Sequence, residues 1–139
     1  MVRRRVVACA AAAVTVAAGL AVRGVFAGDA AKYAGDMLYT VLLYTLVLAA
    51  APRPRPLTVA AVALGVSWLV EFAQLTGVPA ELAAHSAVAR LVLGTTFNPP
   101  DLAWYAVAAL LCCLAHGAAM GARRRRRARE AIVRPADPA

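Results

Sequence analysis

LTVAAVALGVSWLVEFAQLTG, residues 57–77, decides the fold. A hydrocarbon core about 30 Å thick is crossed by about 20 helical residues, and this stretch has that length. It is apolar almost throughout, and one carboxylate, Glu71, interrupts it. A charge near the middle of a membrane helix costs roughly 2.5–3.5 kcal/mol on insertion scales. Such a group belongs in the interior of a bundle, and an intramembrane acid is a functional-site candidate.

The rest of the chain fits the same frame. Of its 139 residues 63% are apolar and 16% charged, and the mean hydropathy is +0.69. A soluble domain is nearer half apolar. Three further apolar segments cover residues 6–22, 36–51 and 101–120. No strand-like alternation and no internal repeat appears. The expected fold is all-α: a four-helix transmembrane bundle over residues 1–122, followed by a disordered basic tail over 123–139. A secretory signal is the rival reading of the first segment, with RRR at 3–5 as its n-region and Val25-Phe26-Ala27 as its cleavage site. The apolar run is long for a signal and Arg23 separates it from that site, so a retained membrane helix is expected.

Positive charge on short loops orients membrane helices. Of 15 basic residues, 12 lie on one side: Arg3, Arg4 and Arg5; Arg53 and Arg55; the RRRRRAR run from Arg123 to Arg129; and Arg134. Arg23, Lys32 and Arg90 lie on the other. Both termini are therefore expected in the cytoplasm, with outer loops at 23–35 and 78–100. The net charge of +8 raises nucleic acid as a partner, but no aromatic platform or nucleic-acid-binding fold accompanies the arginines. A basic run directly after a membrane helix is topogenic and attracts anionic lipid headgroups. The lipid bilayer, with such headgroups at Arg123–Arg129, is the expected partner, and nucleic acid is not.

On this topology the acids collect at one end. Asp36 opens the second segment, with Tyr39 and Thr40 one turn on. Asp101 opens the fourth, with Trp104 and Tyr105 one turn on. Glu71 has Gln74 on its face, since residues three and four apart are helix neighbours. Glu71 lies about 21 Å from the cytoplasmic start of its helix, toward the outer face. Asp36 and Asp101 are also readable as plain helix caps. Glu71 is not, because it stands toward the C-terminal end. Arg23 and Arg90 are the available cations for it, and the sequence does not choose between them.

ELAAHSAVARLVLG, residues 81–94, is too apolar for a plain linker and suggests a short interfacial or re-entrant helix lidding the bundle, broken at Gly94 and the prolines. His85 within it and His116 in the fourth segment are weak candidates. Cys9, Cys112 and Cys113 fit neither a disulfide framework nor a metal site, and no cofactor motif or metal constellation is present. No cofactor is expected, and there is no evident polar path toward the inner face.

The order GLAVR (19–23), KYAGDMLYTVLLY (32–44), VEFAQL (70–75) and LVLGTTFNPPDLAWYAV (91–107) resembles the small bacterial membrane proteins grouped as domain of unknown function 2809, which are similar in turn to VanZ-like proteins. The resemblance covers roughly residues 14–118. It implies four membrane helices, a link to the cell envelope and no established activity. VanZ-like patterns also carry an arginine between the E-x-x-Q pair and the later Asp, a place that Arg90 alone can fill here. The candidate polar site is Asp36, Tyr39, Glu71, Gln74, Asp101, Tyr105, Arg23 and Arg90. The leading expectation is an envelope protein binding a headgroup or small polar ligand at the outer face. The alternatives are a membrane enzyme with Glu71 and Asp101 as an acid–base pair, or a small proton-coupled transporter in which Glu71 titrates.

Overall fold

The structure, a computed structural model, describes residues 2–51 and 55–133, with the backbone alone for residues 2–4, 23, 132 and 133. Among the described residues there is no strand. The helices are α1 (Val2–Val25), α2 (Asp29–Ala50), α3 (Pro56–Ala73), α4 (Val78–His85), α5 (Ala87–Leu93) and α6 (Pro99–Val133), with a 3-10 turn, Gln74–Thr76, closing α3. Four of these segments are long and apolar enough to cross a membrane, with mean hydropathies from 1.4 to 2.0. Between 17% and 28% of each span is buried inside the protein. Leu57, Leu69, Leu110 and Leu114 all face outward. An apolar surface that extensive is an association hazard in water and an ordinary lipid-facing surface in a bilayer. The chain is an all-α membrane protein.

α2 is the hub, packing against α1, α3 and α6, while α3 packs against α6. On α1 the buried residues are small, Ala8, Ala12 and Thr15, and their spacing puts them on one helix face. Small residues let membrane helices approach closely where lipid supplies no hydrophobic drive between them. The opposite flank of α2 is different. Lys32, Asp36, Thr40 and Tyr44 follow at four-residue intervals and form a polar seam against α3 and α6. Thr40 Oγ1 meets Ser67 Oγ at 3.0 Å, and Ser67 donates to the Ala63 carbonyl at 3.0 Å. Tyr44 Oη lies 3.0 Å from His116 Nδ1 and donates to the Pro56 carbonyl at 3.4 Å. Around Tyr44 the core is filled by Val59, Ala60, Ala63 and Ala109. Polar side chains thus continue along this face of α2 from Lys32 to Tyr44, which reaches His116 on α6.

The helix ends also differ from expectation. α2 starts at Asp29, not at 36. Gly28, at φ +91°, turns the chain from α1, and Ala30, Ala31 and Ala34 are strong helix formers. Tyr33 on this added turn stacks on Trp104 with ring centroids 5.5 Å apart. Asp36 therefore lies inside a helix and caps nothing. The loop over 78–100 holds two helices instead of one. They break at Ser86, whose extended backbone leaves its hydroxyl free to accept the Ala89 N–H at 3.2 Å, and α5 ends at Gly94, at φ +66°.

α6 begins at Pro99, and the tail expected to be disordered continues it as helix through Val133. Arginine and alanine are good helix formers, and elongating an existing helix avoids the costly nucleation step. Residues 134–139, with Arg134, lie outside the described residues, as does Arg53.

Candidate functional site

Glu71 is 1% exposed. It points into the bundle because Ser67, Glu71 and the buried Ala60 and Ala63 share the α3 face that meets α2 and α6. Both of its oxygens accept. The Asn98 backbone N–H donates to Oε1 at 2.6 Å, and the Tyr105 hydroxyl donates to Oε2 at 3.1 Å. Asn98 stands immediately before α6, where a helix start leaves backbone N–H groups without partners. Glu71 thus ties the end of α3 to the beginning of α6.

Asp101, in the first turn of α6, is 3% exposed. The Lys32 ammonium donates to both of its oxygens, at 2.9 and 2.7 Å, and the Asn98 side-chain amide donates to Oδ1 at 2.5 Å. Asn98 therefore bridges the two acids, giving its backbone to Glu71 and its side chain to Asp101. Asp36 is 8% exposed and shares one face of α2 with Tyr39, three residues on. The Tyr39 ring lies against that of Tyr105, with centroids 6.5 Å apart. One connected group thus holds Asp36, Tyr39, Glu71, Asp101 and Tyr105.

Gln74 sits one turn beyond Glu71. Its amide donates to the Leu93 carbonyl at 2.7 Å and so fastens the end of α5 to the end of α3. Gly94 beside it takes φ +66°, where a side chain is strained, and a Cβ there would come within 2.6 Å of Gln74 Nε2 and push the amide aside. The buried Gln74 Oε1 has no hydrogen-bond partner among the described residues.

Of the two arginines offered for Glu71, only Arg90 has a described side chain, and its hydrogen bond goes elsewhere. Arg90 donates to the Ala83 carbonyl at 3.1 Å, closing the α4–α5 hairpin, and the Arg23 side chain lies outside the described residues. The cation in the group is Lys32, and its partner is Asp101. The sequence reading missed Lys32 and Asn98. Lys32 precedes Asp36 by four residues on one α2 face and Asn98 precedes Asp101 by three, which are the signals that place them. His85 is exposed, and His116 serves Tyr44 at the far end of the bundle.

These residues line an open cleft of about 610 Å³, within the range of small-molecule sites. Lys32, Asp36, Glu71, Asp101 and Tyr105 form its polar side, and Arg90, Gln74, Thr95 and Thr96 its rim. Its walls are aliphatic: Val16 and Leu20 of α1, Leu38 and Leu42 of α2, and Val88 and Leu91 of α5. No cluster of three His, Cys, Asp or Glu side chains suited to a metal occurs among the described residues. Glu71 and Asp101 each hold two donors already, and through them Tyr105 and Lys32 are fixed on the cleft lining.

No curated protein and no solved structure matches the chain. The family described as protein of unknown function DUF2809 matches over residues 26–123, a span that includes α2 to α5, the cleft's polar side and the first arginine of the tail. On that match the chain belongs to the DUF2809 family.

Proposed function

We propose that this is a multi-pass protein of the bacterial plasma membrane that binds an amphipathic envelope molecule in the cleft. The polar headgroup meets Asp36, Tyr105, Gln74 and Arg90, and the alkyl part lies on the walls from α1, α2 and α5. The observation that carries the reading is the pairing of a buried, cross-bonded polar side with aliphatic walls in one cleft of ligand size. The charge bias of the loops supports an orientation with both termini in the cytoplasm and the cleft at the outer face. A periplasm-active reporter inserted near Thr95 is then active and one fused after Met120 is silent; the reverse pattern overturns the orientation.

The test of binding uses the full chain purified in mild detergent from its host membrane. Native mass spectrometry is expected to show one co-purifying lipid-like adduct, lost in Leu42→Trp, which fills the cleft wall, and weakened in Asp36→Asn. An adduct that survives both changes sinks the proposal.

One observation favours a second reading, a proton-coupled transporter. The seam from Asp36 through Thr40 and Ser67 to Tyr44 and His116 carries polar groups toward the other face. The Val59, Ala60, Ala63 and Ala109 layer interrupts it, which is why binding is preferred. Proteoliposomes report the difference: proton flux that is lost in Thr40→Val favours transport, and vesicles that hold their gradient favour binding alone. The enzyme reading is weaker, because Glu71 and Asp101 are each engaged by two donors.

A further inference from the structure

A second groove opens at the other end of the bundle, between α1 and α6. Val7, Ala8 and Ala11 form one wall, and His116, Ala119 and Met120 the other. Thr45 and Leu48 of α2 close its floor, and Arg123 stands on its lining. Its volume is about 190 Å³. It exists because α1 is carried mainly by α2, and because Ala8, Ala11 and Ala119 are too small to fill the space toward α6. The cleft of the proposed function contains none of these residues.

The groove is mainly apolar, with Thr45 and His116 its polar members, and cationic where it ends. Arg123 is the first of the arginines running to Arg129, and Arg124, Arg126 and Arg127 are exposed beyond it. On α1, Arg5 is exposed one turn before Ala8. A mainly apolar slot of about 190 Å³, leading to a guanidinium among other guanidinium groups, complements one class of molecule: an anionic phospholipid, one chain in the slot and the phosphate on Arg123. Guanidinium is well suited to phosphate, which it binds with paired N–H donors.

We infer that the groove between α1 and α6 holds one anionic phospholipid, with its acyl chain between Ala8, Ala11 and Ala119 and its phosphate at Arg123. The site rests on the chain being a membrane protein and not on the occupant of the other cleft. It also gives the arginines distinct roles. Arg123 recognises a bound lipid, while Arg124 to Arg129 act as a general surface charge. The lipid would fill the gap that α6 leaves on α1, giving a second contact to a helix carried mainly by α2.

The test is native mass spectrometry of the full chain, delipidated and then titrated with phosphatidylglycerol or phosphatidylcholine. One phosphatidylglycerol is expected to bind about fivefold more tightly than phosphatidylcholine, the size of effect that a single basic residue exerts at a membrane surface. Arg123→Gln is expected to abolish that preference, and Arg127→Gln, which changes an arginine outside the groove, to keep it. Ala119→Phe, made at an exposed position, is expected to remove the bound lipid of either kind while leaving the thermal melt of the protein in place. If that variant loses its melting transition, Ala119→Leu carries the same test. Equal losses in Arg123→Gln and Arg127→Gln would mean a diffuse surface potential and no site. Undiminished lipid in the filled variant that folds would overturn the proposal directly, and neither result bears on the cleft ligand, which Leu42→Trp reports.

Discussion

Lys32–Asp101 and Arg126–Glu130 are the same chemistry at opposite ends of α6. In the first, the ammonium sits 2.7 Å from a carboxylate whose side chain is 4% exposed, and the lysine is 42% exposed. In the second, the partners are 3.4 Å apart on successive turns, 84% and 67% exposed. The first pair is embedded in a network through Asn98, while the second stands in open solvent. Exposed pairs contribute little because water already solvates both ions and salt screens them. A buried carboxylate is different: removing its partner leaves a charge that nothing else neutralises. Charge on α6 is thus structural where it begins and, on this reading, topogenic where it ends.

The largest effect is expected at Glu71, the most enclosed member of the network. Glu71→Ala strands the Asn98 N–H and the Tyr105 hydroxyl, and at roughly 1–3 kcal/mol for each buried unsatisfied group the loss should be about 3 kcal/mol. Glu71→Gln is expected to cost about 1 kcal/mol, because its oxygen still accepts from Asn98 while its amide donates to a reoriented Tyr105 hydroxyl. Thermal melts in one detergent check both. Equal losses for Ala and Gln would show that charge, not hydrogen bonding, holds this corner.

The ion pair itself comes next. Lys32→Met and Asp101→Asn should each cost about 2 kcal/mol, less than a fully buried pair because the lysine is partly solvated. The double variant should cost clearly less than the two together, since each single change already breaks the same contact. Strict additivity would place Lys32 outside the network and make Asn98 the true partner of Asp101.

Which parts of this were legible follows from what each signal reports. Run length and the wrong-end position of Glu71 are local properties, so the third span and its buried acid could be read directly. Hydropathy marks where lipid begins, not where a helix begins, which is why residues 29–35 read as loop although their alanines favour helix. The same confusion turned the arginine run into disorder: its charge suggested a solvated coil, but its helix propensity and the helix before it extend α6 to Val133. Lys32 was hidden because three cations share that side and only the packing of α2 on α6 brings this one to Asp101. The seam was visible in principle, since Lys32, Asp36, Thr40 and Tyr44 keep a strict spacing of four, but the pattern had to be followed past the acids to be seen.

A smaller test concerns that seam. Thr40 is fully enclosed, and its hydroxyl meets Ser67 in a part of the bundle without charge. Interhelical side-chain hydrogen bonds in membranes average only about 0.6 kcal/mol, because the alternative states also find partners. Thr40→Val, nearly isosteric, should therefore cost about that much, far less than Glu71→Ala one turn away. A loss on the scale of the Glu71 variant would mean that the seam is a single cooperative network.

The smallest effect is expected at the exposed pair, where the comparison is sharpest. Glu130 lies four residues after Arg126, the less favourable order for a helix pair, since the dipole prefers the acid first. Both side chains are mostly in solvent, and Arg123, Arg124, Arg125 and Arg127 surround them with like charge. Removing the acid loses one weak attraction and raises the repulsion among the arginines, two effects of the same sign but screened alike. Glu130→Gln should shift stability by about 0.3 kcal/mol or less, with the difference shrinking further as salt is raised. Circular dichroism of the full chain should show the helix content of α6 unchanged. A loss near that of Lys32→Met would show that the last turns of α6 fold as part of the bundle, and the contrast between a structural start and a topogenic end of this helix would no longer hold.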